Sequence, residues 1–276
     1  MTFETDFNYI AGPESPLSAA IAGRDADIHA MVRAAVNRGD VILAYQPVVT
    51  AGPNPTPAFY EALARVRDID GRILPAKDFI NAVEATETGR LIDCLALKQG
   101  LQTLRNVPDL RLSVNMSARS IGYQPWMQEL QSALQNDPSL GDRLILEITE
   151  SSAMVIPDIV IAFMDRLQEK GIAFALDDFG AGHTAFRYFR DFFFDIIKID
   201  GQFIKGISND TDNQCLTRAL IGIATHFDMY TVAENVETPE EAAFLSVAGI
   251  DCFQGYLYGA PMLRPPWMTA RDKRFA

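Results

Sequence analysis

Positive charge is scarce in this chain: 24 Lys and Arg stand against 36 Asp and Glu over 276 residues, a net charge of −12. A general nucleic-acid or anionic-membrane binder needs a basic field, so no polymeric nucleic acid is expected as a partner. An anionic small substrate would need positive charge supplied locally, by a metal or by single Lys and Arg residues. Histidine is nearly as scarce. His29, His183 and His226 are the only three, and none has ligand-like spacing. Cysteine is limited to Cys94, Cys215 and Cys252, odd in number and without a CxxC pair; these read as reduced thiols of a cytoplasmic protein. No run of about eighteen apolar residues is present, so no membrane span is expected. Met1-Thr2-Phe3-Glu4-Thr5-Asp6 carries no basic n-region, and no signal peptide is expected. Repeats of 20–50 residues and low-complexity segments are missing as well. Hydrophobic residues, at 48 %, suffice for a sizeable core.

Read in order, residues 1–24, with Gly12-Pro13-Glu14-Ser15-Pro16, form a lead-in arm, and 25–276 form the domain. No sensory or cyclase domain is expected to be attached. Helical periodicity runs from Asp27 to Asn37 and stops at Arg38-Gly39-Asp40. Val41–Val49 and Phe59–Val66 read as strands joined by the Gly/Pro-rich loop 51–57. Two helices follow over 76–88 and 90–105, separated near Gly89. Strand-like segments then recur at 111–116, 144–149, 173–177, 195–200, 230–234 and 251–257. Helical patterns fill the gaps, at 157–170, 211–227 and 238–248, the last opened by Thr238-Pro239-Glu240-Glu241. Eight short apolar strands alternating with helices predict an α/β fold, a modified TIM (β/α)8 barrel. The first two strands have no helix between them, so the first strand is expected to run antiparallel.

The organising stretch is Phe174-Ala175-Leu176-Asp177-Asp178-Phe179-Gly180, an apolar run ending in two adjacent carboxylates. Two such groups at a strand end are costly unless a cation or a hydrogen-bonded turn holds them; a helix N-cap with a solvated turn is the plain alternative. Barrel chemistry sits where strands end, and those positions read Glu61, Asn115, Glu147, Asp177 with Asp178, Lys198, Glu234 and Gln254. Singly, each has an ordinary explanation. Glu61 suits an exposed strand face, Lys198 a pairing with Asp200, Asn115 a turn. Seven consecutive strands with a polar residue at the equivalent place predict convergence on one mouth. Five carboxylates and an amide oxygen without His or Cys make a hard-oxygen site for Mg2+ or Mn2+. The doubled Asp suits two ions bridged by one carboxylate, and Lys198 would orient the attacking water. Metal-assisted phosphodiester hydrolysis fits this set; an enolase-type proton abstraction also pairs carboxylate-bound Mg2+ with a strand-end Lys.

These residues resemble the EAL-domain family of cyclic di-GMP phosphodiesterases, bacterial enzymes with a modified TIM barrel. The signature is Glu61-Ala62-Leu63, followed by Ala64-Arg65. Around it stand Tyr45-Gln46-Pro47-Val48-Val49, Val114-Asn115-Met116-Ser117, Leu146-Glu147-Ile148-Thr149-Glu150 and Asp177-Asp178-Phe179-Gly180-Ala181-Gly182. Ile197-Lys198-Ile199-Asp200, Ala233-Glu234-Asn235-Val236-Glu237 and Gln254-Gly255-Tyr256-Leu257 complete the ordered set, spanning about residues 28 to 266. The resemblance implies two metals, one on Glu61, Asn115, Glu147 and Asp177, the other on Asp177, Asp178 and Glu234. It implies catalytic roles for Lys198, Glu234 and Glu61, and dinucleotide contacts from Gln46, Leu63, Arg65, Asp93 and Gln254. Glu150, Asp200 and Glu237 would brace these groups. The implied reaction converts cyclic di-GMP to linear pGpG; a catalytically silent receptor for cyclic di-GMP, acting through protein partners, is the alternative. A homodimer and a regulatory protein partner are expected. Three departures stand out: His183-Thr184-Ala185-Phe186 replaces a common Tyr-Ser-Ser-Leu loop tied to dimerisation, Val66 a common Trp, and Asn235 a common Gly. The aromatic stretch Phe186–Phe194 reads as barrel packing or as a dimer or partner surface.

Overall fold

The computed structural model describes residues 16–181 and 191–268. Strands β1 (Val41–Thr50) and β2 (Pro57–Arg67) pair antiparallel, with Val41 opposite Val66 and Gln46 opposite Glu61. A six-residue link cannot carry the chain back for a parallel pairing, so this orientation follows from the loop. A short strand β3 (Ile73–Pro75), which periodicity did not reveal, folds back onto the end of β2. Six further strands are β4 (Leu112–Asn115), β5 (Leu144–Thr149), β6 (Ala173–Phe179), β7 (Ile196–Ile199), β8 (Tyr230–Ala233) and β9 (Cys252–Phe253). From β2 through β4 to β9 every neighbour pairs parallel; β9 then pairs antiparallel with β1 through Val49–Phe253 and Thr50–Cys252. The result is a closed eight-stranded barrel with β1 reversed, as expected, and β3 outside the ring.

Helices cover the outside. Among the described residues they are α1 (Pro16–Arg38), α2 (Ile80–Val83), α3 (Glu87–Asn106), α4 (Gln124–Asn136), α5 (Glu150–Ala153), α6 (Pro157–Gln168), α7 (Gly201–Ile204), α8 (Thr211–His226) and α9 (Pro239–Ala248). Several starts are dictated by side chains. Thr86 caps α3 by accepting from Thr88 N, and Asp210 caps α8 through Asp212 N and Asn213 N. Thr238 and Glu241 form a reciprocal capping box on α9, which ends at Gly249 with φ +93°, a left-handed stop suited to glycine.

Several boundaries differ from those read in the sequence, and the strand expected over 251–257 is only Cys252–Phe253. Helix α1 begins at Pro16 rather than Asp27, passing through the junction placed at residue 24. Residues 76–88 are not one helix: a 3-10 turn over Ala76–Asp78 leads into the single turn α2. The break before α3 lies at Glu84–Thr86, not Gly89, because Thr86 caps the new helix while Gly89 sits inside it. A Cβ at Gly89 would press on the backbone of Val83 and Glu84, so glycine there permits a close approach rather than a break.

Most of the core lies between barrel and helices, with Leu97, Leu101, Leu112, Trp126, Phe163 and Phe174 all buried. A separate cluster seats α1 against the β1–β2 hairpin through Val32, Ala35, Val41, Val66 and Phe79; Val66, where the family commonly has Trp, is fully buried in it. In the aromatic stretch, Phe192 and Phe194 are buried and stacked at 5.5 Å while Phe193 is exposed. Residues 186–190 and the loop 183–186 lie outside the described residues. Among the described residues no helix is long and apolar enough to cross a membrane.

Candidate active site at the carboxyl end of the barrel

Strand side chains alternate between faces, so Glu61, Asn115, Glu147, Asp177 and Lys198 point to one side of the wall. Register then sets their heights. Gln46 stands opposite Glu61, Asn115 beside Glu147, and Thr149 beside Asp177. Lys198 lies in the middle, 1 % exposed. Its Nζ is 2.9 Å from Glu147 Oε2, 2.9 Å from Asp177 Oδ1, 2.8 Å from Glu234 Oε1 and 3.3 Å from Glu61 Oε2. Four carboxylates, three on β2, β5 and β6 and one just past β8, thus share one ammonium. The pairing with Asp200 considered from sequence does not occur; Asp200 caps α7 instead, accepting from Gln202 N at 2.7 Å.

Amides fix the carboxylates from the other side. Asn115 Nδ2 donates to Glu61 Oε1 at 2.7 Å, which turns the Asn115 carbonyl oxygen away from Glu61. Gln254 Nε2 donates to Glu61 Oε2 at 2.5 Å and to Gln46 Oε1 at 3.2 Å, and Gln46 Nε2 donates to Gly259 O at 3.0 Å. Glu61 is therefore held in one orientation by two amides and a lysine, and it is buried rather than on an exposed face. The neighbouring Gly255 is required: a Cβ there would collide with the backbone of Val236.

One lysine does not balance this much negative charge. Burial, then repulsion from Glu61, pushes the Glu147 carboxyl up to about 8 despite Lys198. Burial raises Glu234 well above the ordinary carboxylate range, with Asp177 and Glu61 adding repulsion against the pull of Lys198. Asp178 rises to about 6, through partial burial and the adjacent Asp177. Glu61 goes the other way: burial pushes it up, but Lys198 and the bonds from Gln254 and Asn115 outweigh that. Lys198 itself is held well above its usual value, because four carboxylates overcome the cost of burial. Such a set calls for a further cation.

Donor geometry fits a divalent ion. Oxygens of Asp177, Asp178 and Glu234 lie within 4.8 Å of one another. Gln254 Oε1 is buried without a hydrogen-bond partner, and the buried Glu147 carboxyl has only Lys198 and the Ser113 hydroxyl beside it, a costly condition unless a cation meets these oxygens. All donors are oxygens, as Mg2+ or Mn2+ prefer. The Asp177-Asp178 end is a strained turn rather than a simple cap. Asp178 has φ +56°, Gly180 φ +91°, and Ala181 N donates back to Asp178 O at 3.1 Å. Glu150 braces it by accepting from Gly180 N at 3.1 Å. Asn235, where the family commonly has Gly, sits at φ +53°; Asn tolerates that region better than most residues.

The remaining expected residues form the surround. Leu63 and Arg65 follow Glu61 on β2, both half-buried, and Arg65 Nη1 donates to Ala64 O at 3.0 Å. Asp93 lies on α3, facing a cavity of about 120 Å3 beside Asn115, Met116 and Ser117. It accepts from Ser117 N at 3.0 Å and Ser120 Oγ at 2.6 Å, and burial lifts it to about 6 despite those bonds. Sequence reasoning did not single out Ser117 and Ser120 as its partners; only the SxxS spacing after Asn115 hinted at them. Glu237 is not brought into the site: it is exposed, and its backbone N–H donates to Glu241 Oε2 at 2.9 Å. The bracing acid there is Glu241, legible in sequence only as a helix-start signal.

Comparison with known proteins places this geometry. A family model described as EAL domain matches residues 29–261. Cyclic di-GMP phosphodiesterase NbdA of Pseudomonas aeruginosa is 30 % identical over 236 residues, covering 84 % of this chain and 30 % of that protein. The chain thus spans about a third of the length of such curated relatives. Among solved structures, the PaMucR phosphodiesterase in complex with c-di-GMP is 29 % identical with a TM-score of 0.78, covering 86 % of this chain and 97 % of that one. The FimX EAL domain of Pseudomonas aeruginosa bound to c-di-GMP, at 24 % identity and TM-score 0.76 over 86 % and 97 % of the two chains, shares the fold. With the match extending over the whole barrel and its mouth, the chain belongs to the EAL domain family.

Proposed function

We propose that this chain is a metal-dependent phosphodiesterase that hydrolyses cyclic di-GMP to linear pGpG. The supporting observation is the convergence of the Glu61, Glu147, Asp177 and Glu234 carboxylates on the single ammonium of Lys198. Relatives named as cyclic di-GMP phosphodiesterases, and the solved phosphodiesterase with c-di-GMP bound, support the substrate. Glu61, Asn115, Glu147 and Asp177 would hold one Mg2+ or Mn2+, and Asp177, Asp178 and Glu234 a second. Ions so held polarise a phosphoryl oxygen and make a bound water acidic near neutral pH.

The chain's own groups do the rest. Arg65, half-buried at the end of β2, supplies a guanidinium to a phosphate, and Gln46 and Gln254 present amides beside it. Asp93 is placed to accept from a base edge in the small cavity next to Ser117. Lys198 donates to the attacking water once a carboxylate has turned from it. Glu234 would take the proton of the attacking water as its oxygen bonds to phosphorus; the bond from phosphorus to the 3′-oxygen breaks, and that oxygen takes a proton from solvent, leaving one 5′-phosphate and one 3′-hydroxyl. A cytoplasmic location and a homodimer under a protein regulator belong to the same proposal.

The altered loop at His183–Phe186 favours a second reading, a silent receptor. Incubation with cyclic di-GMP and Mg2+ or Mn2+ separates the two: pGpG formation supports the enzyme, and tight binding without pGpG overturns it. Glu61→Ala should abolish turnover while the protein stays folded.

A further inference from the structure

The opposite end of the barrel carries a second cavity. Inward side chains fall in layers two residues apart along each strand. Beneath the polar mouth lies an apolar layer that includes Val48, Phe59, Ile145, Ala175, Ile196 and Val232. One step further down, at the amino ends of the parallel strands, the layer is not filled. Ala58 and Ala173 are too small to close it, and the longer Arg111 and Tyr230 are exposed. What remains is a well of about 540 Å3, floored by Phe59, Ile145, Ile196 and Cys252. That is the size of a small-molecule site, and its lining is mainly apolar.

The rim sets the charge of an occupant. Asp142, Asp195 and Asp251 stand around the well against the single guanidinium of Arg111. Asp195 Oδ2 accepts from Phe174 N at 2.8 Å and Gln168 Nε2 at 3.1 Å, while Asp251 Oδ2 accepts from Thr231 N at 2.8 Å and Thr231 Oγ1 at 2.7 Å. Both carboxylates are thereby held in place at the rim. Three carboxylates over an apolar floor, two of them held in place, repel anions, cyclic di-GMP included, and attract a cation. We propose that this well is a binding site, distinct from the carboxylate mouth, for a small molecule with an apolar or aromatic body and a protonated amine head.

Cys252, on the floor and 9 % exposed, provides the reporter. In a Cys94→Ser/Cys215→Ser chain it is the sole thiol, and its alkylation by N-ethylmaleimide can be followed by intact mass. Three probes share one body and differ in the head: 2-naphthylmethylammonium, 2-naphthalenemethanol and 2-naphthoate. The ammonium should slow alkylation about ten-fold at roughly ten times its Kd, and the carboxylate should not. Asp142→Lys, at an exposed rim position, should weaken the ammonium about ten-fold with the melting temperature unchanged. Ala173→Phe should fill the well and remove protection. Saturation-transfer NMR on the probes reads binding even where the thiol reacts slowly. No transfer from the ammonium at millimolar concentration, equal binding of the carboxylate, or protection surviving both variants overturns the proposal. So does protection without probe that grows with protein concentration, since a second copy of the chain would then cover the well.

Discussion

Replacing Glu147 by Gln removes a carboxyl that burial and the neighbouring Glu61 push up to about 8 from an ordinary 4.5. Between those values the folded protein holds a proton that the unfolded chain has released. Stability without metal therefore falls as pH rises through that window: it is fully present below about 4.5 and lost by about 8. At about 1.4 kcal/mol per tenfold change in proton affinity, the full span corresponds to a ceiling of about 5 kcal/mol. Loss of the ion pair to Lys198 in the variant works the other way, so the net difference is smaller. Urea unfolding in EDTA from pH 5 to 8.5, followed by circular dichroism, is the assay. Glu147→Gln should match the parent at pH 5, where a neutral amide replaces a neutral acid, and exceed it by ~2–4 kcal/mol at pH 8.5. Parallel curves for the two proteins would refute the argument that Glu147 is an unneutralised buried acid. Saturating Mg2+ should flatten the parent curve, because ion binding to the folded state replaces the proton.

Glu241→Gln should cost about 2–3 kcal/mol at pH 7, since its carboxylate accepts from three backbone N–H groups and charge-assisted bonds are the stronger kind. Those bonds outweigh burial and hold its pKa low. Its contribution is therefore present above the ordinary Glu range and lost as pH falls through the lowered value, which acid titration of both proteins would read. Gly255→Ala should lower stability by at least about 2 kcal/mol, as its methyl meets the Val236 backbone; an unchanged melting temperature would contradict the close approach. Asn115→Leu should weaken Mn2+ binding measured by calorimetry, since it removes an oxygen donor and frees Glu61 from one of its two amides.

Sequence carried the barrel because strand alternation and loop length are local properties. Eight strands and the reversal of β1 follow from apolar runs and from a 51–56 link too short for a crossover. The convergence at the mouth was legible for the same reason, since each strand placed its polar residue at an equivalent height. What stayed hidden depends on contacts across the fold. The extra strand β3 has only three residues and no alternation to detect. The break at Glu84–Thr86 was masked by good helix formers on both sides. Glu237 looked like a site acid from its motif, yet the neighbouring acid Glu241 is the one turned inward. Asp93 needed Ser117 and Ser120 beside it, and that pairing of α3 with the end of β4 has no sequence period. The well at the other end is a deficit of volume at Ala58 and Ala173, visible only when all strands are in place.

Lys198 carries a conflict that leads to a final test. Its ammonium has three N–H groups and four carboxylate neighbours within 3.3 Å, so no donor is free for water in this arrangement. In the proposed reaction an ion at the mouth would draw Glu147 or Asp177 away from the lysine, which would then gain a donor for the nucleophile. On that proposal lysine and metal would compete for the same oxygens while cooperating in the reaction. Removing the ammonium with Lys198→Met should raise Mg2+ affinity, because a unit charge a few ångströms away is worth on the order of 1–4 kcal/mol at protein dielectric. Turnover should fall at the same time, since the water loses its donor. Calorimetry gives the first quantity and pGpG formation the second. If Mg2+ binds the variant more weakly, the ammonium organises the carboxylates for the ion instead of opposing it, and the displacement argument fails.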